Sequence, residues 1–118
     1  MSDEFMMRRR LTDSEKRLTK RLLSKAPDVQ VPSRWLDDVM VEALPDGGMG
    51  SLRFCSGAGI AGDRKFGREA AELQFWDADG VVVLASLYLD ARGEPFELDI
   101  WKTDFSPLVR IPDDISDV

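Results

Sequence analysis

The longest nearly continuous apolar stretch lies in the second half of the chain, at residues 81–89. It contains three valines and is bounded by Asp79-Gly80 and Arg92-Gly93, which are turn-forming pairs, so the pattern favours a strand covered on both faces over a helix. Residues 72–76 and 96–101 instead alternate between apolar and polar positions, as half-buried strands do. We therefore predict an antiparallel meander with residues 81–89 as its interior strand.

Near the N-terminus the periodicity changes to that of an amphipathic helix. Thr12 and Glu15 form a capping box, in which the hydroxyl accepts from the Glu15 amide and the carboxylate accepts from the Thr12 amide. Pro27 ends the helix. The apolar positions share one face: Leu11, Leu18, Leu22 and Ala26. The other face is basic: Lys16, Arg17, Lys20, Arg21 and Lys25. Solvated surface charge is the favoured interpretation of this face, with phosphate binding as the alternative.

A second pair of strands is predicted between the helix and the meander. Residues 38–44 and 51–55 alternate in hydrophobicity and flank the glycine-rich turn 45–50, which is the pattern of a β-hairpin. Residues 27–36 connect the helix to this hairpin, with one helical turn at 33–36. Within the connector, Trp35 is expected to plug the core or the edge of the sheet.

The stretch from Gly57 to Gly62 spells the dinucleotide-binding pattern G-x-G-x-x-G. That site requires the loop to open a helix and an acidic residue about 20 positions later. Gly67 interrupts the helix, and Val82 and Val83 occupy the positions of the acid. A flexible loop is therefore the expected structure, and nucleotide binding is not expected.

One helix followed by five strands with short turns predicts an α+β fold. Its architecture is an N-terminal amphipathic helix packed on a roughly five-stranded, mainly antiparallel sheet. Residues 11–112 are expected to form a single domain, with residues 1–10 as a flexible tail and residues 113–118 as an acidic tail. The two prolines within residues 103–112 predict an extended segment there.

Composition narrows the chemistry of this 118-residue chain. It has no histidine, which removes the commonest general base and the usual zinc ligand, and its single cysteine, Cys55, allows no internal disulfide. Residues 1–26 hold eight basic and four acidic side chains, and the remaining 92 residues hold eight basic and eighteen acidic ones. The body is thus an acidic domain, with a charge of −10, that attracts basic proteins. No apolar segment is long enough to span a membrane, and the N-terminus lacks the apolar core of a signal peptide, so a cytoplasmic protein is expected.

Glu97, Asp99 and Trp101 share one face of the last strand because alternate residues of a strand point the same way. With Asp104 at its margin, this face is the predicted partner-binding site. Two alternatives use the same carboxylates. Glu97 and Asp99 have a spacing compatible with an inverting glycoside hydrolase, and Glu97, Asp99 and Asp104 offer oxygen ligands to a divalent cation. We expect neither a catalytic site nor a metal or cofactor.

Three blocks of the sequence resemble a family of small bacterial proteins without assigned function. They are Arg9-Arg10-Leu11-Thr12, Gly47-Gly48-Met49-Gly50-Ser51-Leu52, and the stretch FELDIWKTDFSPL at residues 96–108. The resemblance extends over residues 8–112 and brings no catalytic motif. In build, such small acidic proteins are similar to the immunity proteins that neutralise contact-delivered toxins.

From these observations we expect a non-enzymatic function, that of an immunity protein that binds a basic toxin domain. We expect this toxin domain to be a nuclease. Carboxylates would occupy the sites that bind substrate phosphates, and an aromatic anchor would fill a pocket. A small hydrolase using Glu97 and Asp99 is one alternative. A nucleic-acid-associated protein using the basic N-terminal helix is the other. The sequence leaves the oligomeric state open.

Overall fold

The computed structural model describes residues 7–55 and 64–115. Its elements are β1 (Arg8–Arg10), α1 (Asp13–Ser24), α2 (Trp35–Asp38), β2 (Met40–Ala43), β3 (Leu52–Phe54), β4 (Phe66–Trp76), β5 (Val82–Asp90) and β6 (Pro95–Lys102). The strands form one antiparallel sheet in the order β1-β2-β3-β6-β5-β4. The predicted α+β fold is confirmed, with one strand more than expected. No helix in the described parts of the chain has the length and apolarity needed to cross a membrane.

The additional strand is β1, in a part of the chain assigned to the flexible N-terminal tail. It pairs with β2 in the register Arg8↔Glu42 to Arg10↔Met40, and Arg8 Nε donates to the Glu42 carboxylate at 3.0 Å. An edge strand of this kind is held by backbone hydrogen bonds and does not require apolar side chains. Three consecutive arginines show no alternation of apolar and polar residues, so the sequence pattern does not predict this strand. Residues 1–6 lie outside the described residues.

The meander is confirmed, with β5 between β4 and β6. Strand β4 begins at Phe66, well before the predicted start at residue 72, because register shifts between Phe66 and Arg68 and between Glu69 and Ala71 break the period of two. Gly67 lies within the first shift, where a Cβ atom would stand 2.3 Å from the carbonyl oxygen of Asp90. Any larger residue there would force the two strands apart.

Helix α1 covers one face of the sheet. Thr12 Oγ1 accepts from the Glu15 amide at 3.2 Å and Glu15 Oε1 accepts from the Thr12 amide at 2.9 Å, which confirms the predicted capping box. The apolar stripe is buried as expected: Leu11, Leu18, Leu22 and Ala26. It packs against alternate residues of the strands, among them Leu73, Phe75, Leu87, Leu98 and Ile100. In the connector, Trp35 is partly buried and its ring centroid lies 5.2 Å from that of Phe54, as expected for a core plug.

The C-terminal segment after β6 crosses one end of the sheet. The Leu108 amide donates to the Gly48 carbonyl at 3.1 Å. Within the segment predicted to be an acidic tail, Ile115 is buried in the core and Asp113 pairs with Arg17 at 3.1 Å. A short polar stretch with one isoleucine gave no periodicity from which this docking could be recognised. Residues 116–118, and the 57–62 loop with its glycine pattern, lie outside the described residues.

Candidate functional site

The face of the sheet opposite α1 is called the open face here. Leu98 and Ile100 point into the core. The residues that alternate with them, Glu97, Asp99 and Trp101, therefore lie together on the open face, as strand periodicity requires. Their neighbours in the sheet register complete it: Glu42, Arg53, Glu72, Gln74, Trp76, Val82, Leu84, Ser86 and Tyr88. The helix therefore does not cover the predicted site.

Glu97 belongs to a row of charges that crosses the sheet. The register places Arg8 opposite Glu42, Glu42 opposite Arg53, and Arg53 opposite Glu97. The Arg53 guanidinium forms a salt bridge with the Glu97 carboxylate. Alternating charges on neighbouring strands stabilise the pairing of the strands. Glu97 is thus already neutralised within the sheet, and its contribution to the open face is smaller than a free carboxylate would make.

Asp99 differs from Glu97 because no cation lies within salt-bridge distance of it among the described residues. Its carboxyl is half-buried and accepts a long hydrogen bond from Ser51 Oγ at 3.4 Å. Burial raises the pKa of Asp99, and the nearby charges of Glu97 and Asp46 raise it further, while the Ser51 hydrogen bond acts in the opposite direction. An uncompensated carboxylate at this position favours a cation brought from outside the molecule.

An apolar cluster adjoins these carboxylates at one end of the open face; we call it the aromatic end, formed by Trp76, Val82, Leu84, Trp101 and Phe105. The register pairs Trp76 with Val82 and Leu84 with Trp101. Trp76 is 56% exposed, Trp101 is 41% exposed and Phe105 is 69% exposed. The ring centroids of Trp101 and Phe105 lie 5.8 Å apart. Grouped exposed aromatic residues beside charged residues are typical of protein interfaces.

Asp104 is exposed in the turn that follows β6. Its Oδ1 accepts from the Ser106 amide at 3.0 Å and from Ser106 Oγ at 2.6 Å, and these hydrogen bonds lower the pKa of the Asp104 carboxyl. Asp104 therefore organises the turn that carries Phe105. Asp104 directly precedes Phe105 of the aromatic end in the chain.

The catalytic and metal alternatives gain no support from the geometry. Glu97 is held by Arg53, whereas an inverting hydrolase needs both carboxylates free to exchange protons around a water molecule. Within residues 7–55 and 64–115, no three His, Cys, Asp or Glu side chains are arranged to hold a metal ion, so the set Glu97, Asp99 and Asp104 is not assembled. Cys55 is half-buried, and burial raises the pKa of its thiol, which disfavours the reactive thiolate.

The basic face of α1 is partly committed to structural ion pairs. Lys16 Nζ lies 2.9 Å from Asp37 Oδ1, and Arg17 pairs with Asp113. Lys20 and Arg21 are exposed. The face that was the alternative nucleic-acid site thus contributes to joining α1 to α2 and to the C-terminal segment.

A buried ion cluster centred on Lys102 is missing from the sequence-based predictions. Its side chain has no solvent exposure, and Nζ lies 2.8 Å from Asp77 Oδ2 and 2.5 Å from Asp79 Oδ2. Burial acts to lower the pKa of Lys102, but the hydrogen bonds that its ammonium donates to the two carboxylates outweigh it and raise the pKa. Asp77 also accepts from the amides of Val109 and Arg110 at 2.8 and 3.0 Å. The cluster therefore fixes the segment that carries Phe105. The period of two in β6 is the sequence feature that could have indicated it, because Leu98 and Ile100 face the core and Lys102 is the next residue on that face.

Comparison with known proteins gives one positive result. The model of a family described as a domain of unknown function (DUF6984) matches residues 8–112, the same range over which the sequence resembled a family without assigned function. No curated protein and no solved structure matches the chain.

Proposed function

The chain belongs to the DUF6984 family of domains of unknown function, and we propose that it is a non-enzymatic binding protein that receives a basic protein on its open face. The observation that carries this proposal is the uncompensated Asp99 carboxylate two residues from the exposed Trp101 on one uncovered strand face. A half-buried charge without a counter-ion and an exposed indole are both unfavourable in isolation. A partner that supplies a cation and an apolar surface would relieve both.

Two further carboxylates extend the negative charge of this surface. Glu72 lies opposite Ser86, which in turn lies opposite Asp99, and Glu69 lies opposite Tyr88. Both glutamates are exposed and, among the described residues, have no cation within salt-bridge distance. Steering by such a field raises the rate at which a basic partner associates, more than it raises the final affinity.

In its most concrete form, the partner is a toxin domain and the chain is its immunity protein. A nuclease binds phosphates with lysine and arginine side chains, and the carboxylates of the open face would occupy those positions. Occlusion of the active site then neutralises the toxin without any chemical step. The absence of histidine from the sequence is consistent with a protein that acts by binding alone.

The test begins with the gene adjacent to the gene of this chain, which the immunity function requires to encode a toxin domain. The chain is co-expressed with it, growth is measured, and the dissociation constant is determined by calorimetry. Glu72→Lys is expected to weaken binding at least tenfold and to abolish protection, because it reverses an exposed charge on the open face, in line with Ser86 and Asp99 in the sheet register. The variant should melt like the parent, since exposed charges contribute little to folding.

Glu94→Lys is the matched control, because it makes the same charge change at an exposed position in the turn between β5 and β6. It should bind and protect within about twofold of the parent. Equal losses in both variants would show an effect of net charge alone. A gene neighbourhood without a toxin, or a toxin domain that does not bind, contradicts the immunity function.

A further inference from the structure

We propose that Trp101 and Phe105 form the apolar anchor of the interface, inserting into an apolar pocket of the partner that is rimmed by lysine and arginine. This inference rests on the proposed function, because it requires the open face to be the contact surface. It assigns the largest share of the binding energy to two residues, as interfaces with a few dominant aromatic residues do. Only Trp101 was singled out by the sequence; Phe105 is recognised from its backbone and its exposure.

Phe105 has an unfavourable backbone conformation. Its φ angle is 64°, and it is the only non-glycine residue with a positive φ in the described part of the chain. For a bulky side chain this conformation is a true outlier, because Cβ approaches the backbone carbonyl. Strained residues persist where the surrounding structure fixes them, and they concentrate at functional sites.

The surroundings of Phe105 do fix this conformation. The Phe105 amide donates to the Lys102 carbonyl at 2.8 Å, and the buried Lys102 Nζ donates to the Pro107 carbonyl at 3.1 Å. Between these two points, the Asp104 carboxylate holds Ser106 by two hydrogen bonds. The turn is therefore attached on both sides of Phe105 to the interior of the protein, and its shape does not depend on the phenyl ring.

The Phe105 side chain contributes little to the stability of the protein in the absence of a partner. Phe105 is 69% exposed, and its ring, with a centroid 5.8 Å from that of Trp101, leaves Trp101 itself 41% exposed. Glycine would adopt the same backbone angle without steric cost. A phenylalanine at this position therefore has its benefit in a complex, where a partner would remove both rings from water.

The charges around the pair define the chemistry of the pocket. Asp104 precedes Phe105 in the turn, and Asp99 lies two residues before Trp101 on the open face. Leu84, opposite Trp101 in the register, continues the apolar surface. An apolar pocket with lysine or arginine at its rim would match this arrangement, and those cations can also contact the ring faces. A second copy of this acidic chain would bring carboxylates against carboxylates.

The experiment compares Phe105→Gly, Phe105→Ala and Trp101→Ala with Val109→Ala, which removes an exposed apolar side chain from the same segment. Two probes are used: the adjacent-gene toxin domain, and basic peptides selected from a phage-displayed random library on the parent protein. The anchor variants are expected to lose at least tenfold in affinity for both probes, and the control less than twofold. Phe105→Gly should melt at the same temperature as the parent or higher, because it relieves the strain. A gain in stability together with a loss of binding is not expected from a residue that only supports the fold.

Several results would overturn the inference. If the toxin domain binds and Glu72→Lys weakens it while Phe105→Ala does not, the open face is the interface but the anchor assignment is wrong. If the toxin domain does not bind, the immunity function fails, and the peptides alone decide the anchor assignment. The anchor assignment is then refuted if the selection yields no basic peptides, or if the selected peptides bind Phe105→Ala as well as they bind the parent. A dimer in light scattering that Phe105→Ala dissociates would show that the pair contacts a second copy instead.

Discussion

The buried Asp77 carboxylate provides the sharpest test of how the fold is held together. It accepts hydrogen bonds from Lys102 Nζ at 2.8 Å and from the amides of Ala78, Val109 and Arg110 at 2.6, 2.8 and 3.0 Å. Asp77→Ala removes all four acceptor contacts at once. It leaves the Lys102 ammonium in the interior with Asp79 and one carbonyl, and it detaches the C-terminal segment from the turn between β4 and β5.

The expected magnitude follows from this geometry. Removing one member of a buried, hydrogen-bonded ion pair costs about 3–5 kcal/mol, against a typical total stability of about 5–15 kcal/mol. Asp77→Asn keeps the shape and one acceptor oxygen but loses the charge, so its cost should be lower, about 1.5–3 kcal/mol. Replacing Asp77 and Lys102 together by apolar residues should destabilise less than Asp77→Ala alone, because no ammonium remains in the interior and the Asp79 carboxylate left behind is 40% exposed.

The measurement is urea unfolding followed by circular dichroism, with equal m-values as the check that the variants unfold as one unit. Asp113→Ala is the control, because its carboxylate is 82% exposed and pairs with arginines at the surface, where the loss is about 0–1 kcal/mol. A loss below about 1 kcal/mol for Asp77→Ala would refute the structural role.

The same carboxylate predicts the acid limit of the fold. Burial acts to raise the pKa of Asp77, but the hydrogen bonds from Lys102 and the backbone amides prevail and lower it. A carboxyl with a folded-state pKa below its unfolded value stabilises the fold above the unfolded value, about 3.9, and this contribution is lost as the pH falls through the folded pKa. The difference between the parent and Asp77→Asn should therefore disappear only below about pH 4.

Three further outcomes are expected. Leu22→Ala should reduce the free energy of unfolding by about 2–5 kcal/mol in urea titrations, since Leu22 is fully buried under the sheet; a smaller loss would contradict its place in the core. Asp99→Asn should raise the melting temperature at pH 7, because the raised pKa of Asp99 means that its charged form destabilises the fold. This gain in melting temperature should vanish as the pH falls, and no gain at pH 7 would refute the prediction. Lys20→Glu with Arg21→Glu should leave binding of the toxin domain within about twofold, because α1 lies on the opposite side of the sheet; a large loss would move the interface to α1.

The parts of the fold that the sequence predicted are those specified by local patterns. The capping box needs only Thr12 and Glu15, the hairpin and the meander follow from alternation and turn residues, and the open face follows from the period of two in β6. The features of the fold that the sequence did not predict depend on contacts between residues that are distant in the chain. The edge strand β1 exists through backbone bonds to β2, and the docking of Ile115 depends on a gap that other elements leave in the core.

The candidate site shows the same division. Periodicity placed Glu97, Asp99 and Trp101 on one face, but it could not show that Glu97 is neutralised by Arg53, because that needs the register between β3 and β6. Nor could it reveal the positive φ of Phe105, since glycine and asparagine are the residues that normally mark such a turn. Asp99 could be recognised as uncompensated only once every neighbouring strand was in place.

The central claim is that a basic protein binds the open face. It is tested most directly by recording methyl resonances of the chain while the adjacent-gene toxin domain is added. The methyl groups of Val82 and Leu84 lie on the open face, and those of Leu23 and Val29 lie on the side of α1. We predict that the resonances of Val82 and Leu84 shift or broaden while those of Leu23 and Val29 stay in place. Shifts confined to Leu23 and Val29, or no shifts at all, would contradict the claim.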